Sequence, residues 1–226
     1  MRNPLTVSPH TMKSVLPLLL FLFLTSTLLA QRSIHFSNEC DTAFWYHFKN
    51  DNVRRFKLGF IENDTTDYSL RFWSFGLVIK VTDKSSGEII RFVEAYPKDK
   101  SKRIFVKRYP ISSANTFQIK LLTDSLQIEA LPSDKNIQGW VQGLDGVTYF
   151  TEYKKDGQYS FKNYWTPTAQ DTLKEAIQFQ NFISGLDRIL DLKKNSKEFQ
   201  DDIPFDGWSY PGSANAVLRI KPKPKK

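Results

Sequence analysis

Short runs rich in aromatic and β-branched residues fill the chain from residue 32 to about residue 110, and they predict an antiparallel β-sheet. Polar breaks such as NDTTD, DKSSGE and YPKDKSK separate several of these runs. The predicted strands are 32–38, 43–49, 53–61, 68–74, 76–83, 88–95 and 103–109.

The first two runs can be paired as a hairpin that turns at Glu39–Thr42. In that register Ile34 lies opposite Phe48 on one face, and His35 lies opposite His47 on the other. One apolar face and one mixed face are typical of an antiparallel pair with one side in water.

A helix, a hairpin and a second helix are predicted after residue 112. Apolar residues at helical spacing predict a helix over 113–125, and Ser112 or Ser113 can cap it. In GLDGVTYFTEYKKDGQYSFKNYWTP, residues 143–167, Asp156-Gly157 favours a two-residue turn because both central residues must tolerate positive φ. Strands at 146–154 and 158–165 would then set Tyr153 opposite Ser160, Glu152 opposite Phe161 and Tyr149 opposite Tyr164.

Thr166-Pro167 is typical of a helix start, because Thr can cap the helix and Pro suits the first helical position. An apolar stripe predicts that this helix continues to about Leu192. Its members are Leu173, Ala176, Ile177, Phe179, Ile183, Leu186, Ile189 and Leu190. The segment ANAVLRI predicts a last strand at a sheet edge.

These elements predict the α+β class: an antiparallel β-sheet with a short helix, a C-terminal hairpin and one long helix packed on a sheet face. The alternative is a lipocalin-like β-barrel with a late helix, because many strands, a late helix and a final strand come in the right order. No Gly-x-Trp precedes the first predicted strand, which argues against the barrel.

The N-terminus has the order of a secretory signal peptide. Lys13 precedes an apolar run over residues 15–29, and Ala30 follows as a small residue before the expected cleavage site. A membrane anchor is the alternative, but a spanning helix needs about 20 apolar residues, and this run is shorter and contains Pro17. We therefore predict a signal peptide over 1–30 and an exported protein, periplasmic or secreted, with no transmembrane segment after cleavage.

The remainder divides into a single α+β domain over 31–218 and a basic tail over 219–226. Two of the 32 basic residues lie in the signal region, so the remaining 30 exceed the 24 acidic residues by six. Five of those positive charges lie in the tail, RIKPKPKK. We expect weak attraction of the tail to an anionic surface and no binding of nucleic acid, which requires a continuous basic stripe.

The residues that could form a metal site are few. His35 and His47 would face each other with Cys40 near the turn, but the spacing H-x4-C-x6-H fits no established metal signature. On one hairpin Cys40 and His47 would also be too far apart for a nucleophilic pair. We predict no metal site and no cofactor.

Two carboxylates in the hairpin region, Asp145 and Glu152, raise the alternative of a carboxylate-based hydrolase acting on envelope or extracellular polymers. Seven residues along one strand span roughly 23 Å, which is too long for an acid pair in one cleft. The preferred interpretation is structural: Asp145-Gly146 makes a turn, and Glu152 bonds to a neighbouring Lys or Tyr. No catalytic residue is predicted.

Aromatic residues are the best argument for binding. The chain has 18 Phe, 9 Tyr and 5 Trp, and each Trp lies near a predicted turn or strand end. The candidate binding residues are Trp45, Trp73, Trp140, Trp165 and Trp208. The function expected is a non-enzymatic binding or structural module for an envelope peptide, glycan or protein partner.

The second half of the chain resembles a loosely related group of exported bacterial proteins with a helix, an LPS-like turn and a DG-x5-E…Y…W-x-P pattern. The matching residues here are Leu131-Pro132-Ser133, Asp145-Gly146, Glu152, Tyr159 and Trp165-Thr166-Pro167. The signal ending LLAQ and the FWSFG run at 72–76 are similar to those of Bacteroidota secretory proteins. The resemblance covers roughly 112–190 and implies a shared α+β unit, without assigning catalytic residues.

Overall fold

The computed structural model describes residues 35–36, 44–83, 86–96, 103–211, 213 and 216–219. The strands in these segments are β1 (His35–Phe36), β2 (Tyr68–Ser74), β3 (Leu77–Thr82), β4 (Gly87–Ala95), β5 (Ile104–Ile111), β6 (Thr148–Lys155), β7 (Gln158–Trp165), β8 (Gly207–Ser209) and β9 (Ala216–Leu218). The helices are α1 (Phe44–Arg55), α2 (Ser113–Ser125), α3 (Lys174–Leu190) and α4 (Leu192–Asp202). The predicted signal peptide and the tail beyond Arg219 lie outside these segments.

The strands form one open sheet in the order β1-β7-β6-β2-β3-β4, with β5 on the far side of β4. All pairs are antiparallel except β1 with β7. Glu94 of β4 pairs with both Ile104 and Ser209, so β8 continues the line of β3 and carries β9 at its outer edge. The α+β prediction is confirmed. The lipocalin-like barrel is wrong, because the sheet does not close.

Helices cover both faces of the sheet. Leu70 and Phe72 of β2 share a core with Ile119 of α2 and with Phe179 and Phe182 of α3. Because strand side chains alternate between faces, the intervening residues of β2 point to the opposite face, where α1 packs. A smaller core joins α4 to the sheet through Val93, Ala95, Phe199, Ile203, Phe205 and Trp208.

The predicted strands at 68–74, 76–83, 88–95 and 103–109 are confirmed by β2 to β5, with bounds that differ by at most two residues. The predicted helix at 113–125 is also confirmed. The side chain of Ser112 caps it by accepting a hydrogen bond from the backbone N–H of Asn115 at 3.2 Å. The expected final strand is β9, which pairs with β8.

The prediction for residues 43–61 is wrong. Residues Phe44–Arg55 form α1 rather than a strand, and a 3-10 turn occupies Ile61–Asn63. His47 therefore does not face His35 across a hairpin, and β1 pairs in parallel with β7 instead. Buried residues at positions 49, 52, 53 and 56 follow helical spacing. Dense aromatic content favours strands in general, but here those rings pack a helix onto the sheet.

The hairpin between β6 and β7 is confirmed in its turn and its register. Tyr153 pairs with Ser160, Glu152 with Phe161 and Tyr149 with Tyr164. The two turn residues have left-handed backbones, with φ of 51° at Asp156 and 78° at Gly157. A type I′ turn needs these values at both central positions.

Gly157→Val is expected to lower the free energy of unfolding by about 1–2 kcal/mol or more, because a β-branched residue is strained at positive φ. A Cβ at Gly157 would meet nothing within 4 Å, so the effect isolates backbone strain from packing. Urea unfolding measures it. Gly157→Asn is the matched control and should cost clearly less, since Asn tolerates this conformation. Equal stability of the Val variant and the wild type would contradict the turn assignment.

The helix expected to begin at Thr166-Pro167 begins later. Residues Pro167–Ala169 form a 3-10 turn, and α3 begins only at Lys174. Thr166 has φ of 37°, so its backbone is left-handed rather than that of an extended cap residue. The apolar stripe to Leu192 is also interrupted, because Asp191, at φ of 47°, ends α3 and caps α4.

Candidate functional site

A cavity of about 300 Å³ opens on the sheet face that carries α1. Three tryptophans line it from separate parts of the chain: Trp45 on α1, Trp73 near the end of β2, and Trp165 at the end of β7. The turn between β2 and β3 and the loop over residues 141–147 form further parts of the wall, together with Phe92, Thr148, Phe150 and Pro211. The volume is at the lower end of the range typical of small-molecule sites.

The other two candidate tryptophans do not line this cavity. Trp140 lies behind it, where its Nε1 donates a hydrogen bond to the carbonyl oxygen of Trp165 at 3.0 Å. Trp208 is 5% exposed and belongs to the core under α4. The structure thus brings together three of the five predicted binding residues, and the assignment of ligand binding to them stays a prediction.

Helical spacing explains why three residues of α1 line the cavity together. Trp45, Phe48 and Asn52 lie at positions i, i+3 and i+7, which places them on one side of the helix. The Trp45 ring lies 5.5 Å from the Phe150 ring of β6, centroid to centroid. Both residues line the cavity, so this aromatic contact holds α1 against the sheet there. Sequence reasoning that treats 43–49 as a strand misses this arrangement.

The loop over 141–147 lies against Trp165 because two of its residues have no side chain. A Cβ on Gly143 would come within 2.5 Å of Cη2 of Trp165, and a Cβ on Gly146 within 2.0 Å of Oγ1 of Thr166. Oγ1 of Thr166 also accepts a hydrogen bond from the backbone N–H of Val147 at 3.0 Å. Thr166 therefore holds this loop instead of capping a helix.

A buried glutamine fixes the other end of the same loop. Gln170 is 5% exposed, and its side-chain amide pairs with both backbone groups of Val141. Its Oε1 accepts from the N–H at 3.1 Å, and its Nε2 donates to the carbonyl at 2.8 Å. Two residues of the turn after β7 thus position the cavity wall.

The LPS-like turn supports Trp165 from the far side. Ser133 and Asp134 lie along the outer edge of β7, where no strand covers Asn163 or Trp165 among the described residues. Oδ2 of Asp134 accepts a hydrogen bond from the backbone N–H of Trp165 at 2.7 Å. Oγ of Ser133 bonds both backbone groups of Asn163 at 3.2 Å. These side chains satisfy an edge that would otherwise present unpaired backbone groups.

A buried charge cluster lies directly behind Trp73. Nε1 of Trp73 donates to Oε2 of Glu152 at 2.5 Å, and Arg71 contacts the same oxygen at 3.3 Å. Lys49 lies 3.0 Å from Oε1 of Glu152, and Tyr159 donates its hydroxyl hydrogen to that oxygen at 2.9 Å. The expected bond between Glu152 and a Lys or Tyr is confirmed.

Glu152 is fully buried and stays ionised. Burial would raise the pKa of its carboxyl, but the neighbouring charges of Arg71 and Lys49 lower it below its ordinary value. Lys49 also contacts Glu62 at 3.3 Å, so two cations meet two carboxylates. Burial and the charge of Glu152 raise the pKa of Tyr159 well above its ordinary value, so this phenol remains a donor.

The other residues considered for catalysis or metal binding do not form a common site among the described residues. Asp145 is exposed in the 141–147 loop, whereas Glu152 is buried behind Trp73. His47 is exposed on α1, and Cys40 lies outside the described residues. In the described part of the chain, no group of three or more His, Cys, Asp or Glu side chains is placed to hold a metal ion.

Sequence reasoning missed Lys49, Arg71, Gln170 and Gly143, and it assigned Gly146 only to a turn with Asp145. A signal for Lys49 was present, since a Lys at i+4 from Trp45 on one helix side is conspicuous once the period is read as helical. Nothing local marks Gln170, because its partner, Val141, lies 29 residues away.

Comparisons with protein-family models, with curated proteins and with solved structures find no match to this chain. None of the helices in the described segments has the length and apolar character needed to cross a membrane. The likeness to exported bacterial proteins stays a prediction.

Proposed function

We propose that the protein is an exported, non-enzymatic binding module, acting in the periplasm or after secretion, that holds part of a peptide, glycan or protein partner in the tryptophan cavity. The convergence of Trp45, Trp73 and Trp165 from three distant segments carries this proposal. Indole rings contribute large apolar areas to binding sites while retaining a polar N–H. Concave sites with aromatic walls and a few polar groups are the usual form of ligand pockets.

The alternative, a carboxylate-based hydrolase, has less support. Glycoside hydrolysis uses two carboxyl groups about 5–10 Å apart in one cleft. The described residues that line the cavity include no Asp or Glu, and Glu152 is turned away behind Trp73. Its two oxygens already accept from four groups: Lys49, Arg71, Trp73 and Tyr159. This arrangement supports binding rather than acid–base catalysis.

The basic tail over 219–226 adds a second contact in this proposal. Its alternating Pro and Lys residues favour an extended, solvated segment that is attracted to an anionic surface. The effect is weak, and salt screens it. The cavity supplies specificity, and the tail supplies proximity to the surface.

An uncharged fluorescent probe, N-phenyl-1-naphthylamine, tests whether the cavity binds ligands. We expect the wild-type protein to enhance its emission on binding, and Trp45→Ala to weaken binding about tenfold or more through loss of ring contact. Leu144→Asp should weaken it similarly, because it places a charge at the cavity rim. Leu144 is fully exposed, so this change leaves the core intact.

Phe117→Ala is the matched control. Phe117 is a 60% exposed aromatic residue on α2, whose core side packs on the other face of the sheet, and its removal should leave probe affinity unchanged. Probe binding that is equal in the wild type, Trp45→Ala and Leu144→Asp would place the binding elsewhere and refute the proposal. Absence of binding of the probe, of neutral oligosaccharides and of library peptides to the folded wild-type protein would refute it too.

A further inference from the structure

The charge of the cavity lining restricts the ligand, if the proposed binding function holds. The cavity is lined by rings and by the neutral polar side chains of Asn52, Ser74, Gln142 and Thr148, and no described lining residue is ionisable. A charged ligand would lose its hydration there without gaining a partner charge, which is costly. The ligand is therefore uncharged at the part that enters.

The mixture of rings and neutral polar groups restricts the ligand further. Asn52 and Thr148 are each 7% exposed and reach the cavity from α1 and β6. A hydrocarbon ligand would displace water from these groups and leave their hydrogen bonds unmade. A ligand that has an apolar face for the indoles and hydroxyl groups for the amides and hydroxyls satisfies both kinds of wall.

A peptide backbone finds little to pair with at this site. Extended peptides often bind by adding a strand to an exposed sheet edge. The strands beneath the cavity, β2 and β6, are paired on both sides. At the end of β7, the backbone N–H of Trp165 is already bonded to Asp134. Among the described residues, the sheet therefore offers no strand edge at the cavity for a peptide.

We propose that the cavity binds a neutral sugar ring of an oligosaccharide or polysaccharide. The half-buried indoles of Trp45 and Trp165 contact the C–H face of the ring, while Asn52, Gln142 and Thr148 bond its hydroxyl groups. A cavity of about 300 Å³ encloses a small part of such a chain. The remaining sugar units extend over the exposed protein loop at 141–146.

The test uses titration calorimetry with a panel of neutral hexasaccharides: maltohexaose, cellohexaose, laminarihexaose, xylohexaose, mannohexaose and N-acetylchitohexaose. Hexagalacturonate and the deacetylated glucosamine hexamer are the anionic and cationic counterparts. We expect at least one neutral sugar to bind and both charged sugars to bind at least tenfold more weakly than it does. Trp45→Ala should weaken neutral-sugar binding at least tenfold, and Phe117→Ala should not change it.

Thr148→Val separates sugar recognition from general apolar binding. It replaces one hydroxyl group by a methyl group at nearly constant volume, so we expect weaker sugar binding without a matching loss of affinity for N-phenyl-1-naphthylamine. Failure of every neutral sugar, or sugar binding that is unaffected by both Trp45→Ala and Thr148→Val, would overturn the sugar assignment. Heptapeptides selected from a random library, binding in a manner blocked by Leu144→Asp while no sugar binds, would identify a peptide occupant instead.

The two proposals fail in different ways. If the naphthylamine probe binds at the cavity and no neutral sugar does, the binding function stands and the sugar class is wrong. If the probe, the sugars and the heptapeptides all fail to bind to the folded protein, the binding function itself is wrong.

Discussion

Glu152→Gln is expected to lower the free energy of unfolding by about 3–5 kcal/mol, because it removes one member of a buried charge network and leaves cations without compensation. Glu152, Lys49 and Arg71 are each 1% exposed or less. After the substitution, Glu62 is the remaining carboxylate against two buried positive charges in this cluster. Urea unfolding of the full chain, followed by circular dichroism, measures the loss.

Tyr153→Phe is the matched control for Glu152→Gln. Tyr153 is the next residue on β6, 2% exposed and on the opposite face of the sheet, and its hydroxyl has no hydrogen-bond partner among the described residues. Removing that hydroxyl group should leave stability nearly unchanged. Lys49→Met combined with Glu152→Gln should cost less than the sum of the two single changes, because the double variant removes one charge of each sign.

The same cluster predicts a dependence of stability on acid. The pKa of Glu152 is lowered in the folded state, so its contribution to stability is present above its ordinary value of 4.5 and is lost as pH falls through the folded value. The wild type should lose more stability below pH 4.5 than Glu152→Gln does. Equal acid sensitivity of the two proteins, or equal stability at neutral pH, would contradict the role assigned to Glu152.

Glu152→Gln also distinguishes a role of Glu152 in stability from a role in ligand binding. A variant that is less stable but still binds the naphthylamine probe within a few-fold supports the structural role, because Glu152 does not line the cavity and contacts a lining residue through Nε1 of Trp73. A variant that folds with wild-type stability and loses all binding would show that Glu152 takes part in ligand binding rather than in stabilising the fold.

Asp134→Ala is expected to cost about 2–4 kcal/mol, because hydrogen bonds to charged groups contribute roughly 1.5–3 kcal/mol each and two bonds to one side chain contribute less than their sum. Asp134 is 1% exposed and accepts from the backbone N–H of Trp165 and from Nδ2 of Asn163. Its removal leaves the backbone N–H of Trp165 and the side-chain amide of Asn163 without these partners, directly beside the cavity. The Trp165 ring should then be held less firmly, so probe affinity should fall as well as stability.

Asp134→Asn is the control for this change. It keeps an oxygen acceptor of the same shape, so it should retain more stability and more probe affinity than the Ala variant. Urea unfolding and probe titration at a temperature where both variants are folded give the two quantities. An Ala variant with wild-type stability would show that the edge of β7 does not depend on Asp134. Lost stability with unchanged probe affinity would show that Trp165 is positioned by other contacts.

The best sequence predictions concern local features. The β6–β7 register follows from Asp156-Gly157, because a two-residue turn leaves only one pairing of the flanking strands. The helix at 113–125 follows from a serine cap and apolar spacing. In both cases the deciding interactions join residues close together in the chain.

The least successful predictions concern segments whose partners are distant. The run around Trp45 is dense in aromatic residues, and local propensity alone cannot separate a strand from a helix that packs its rings on a sheet. The Trp45 ring packs on Phe150 of β6, which lies about a hundred residues later in the chain. The contact of Lys49 with Glu152 joins the same two distant segments. Similarly, the segment after Trp165 holds the 141–147 loop through Thr166 and Gln170, which delays the start of α3.

The sequence by itself determined the fold class, most strands of the sheet and the hairpin register, because alternation and turn residues act over short stretches. Its composition also supplied a set of five candidate tryptophans, three of which line the cavity. Tertiary structure alone decided which tryptophans meet, that Gly143 and Gly146 let a loop close on Trp165, and that Glu152 is enclosed by Lys49 and Arg71. Such contacts join segments far apart in the chain, and only the packing of α1 and the loop against the sheet brings them within a few ångströms of each other.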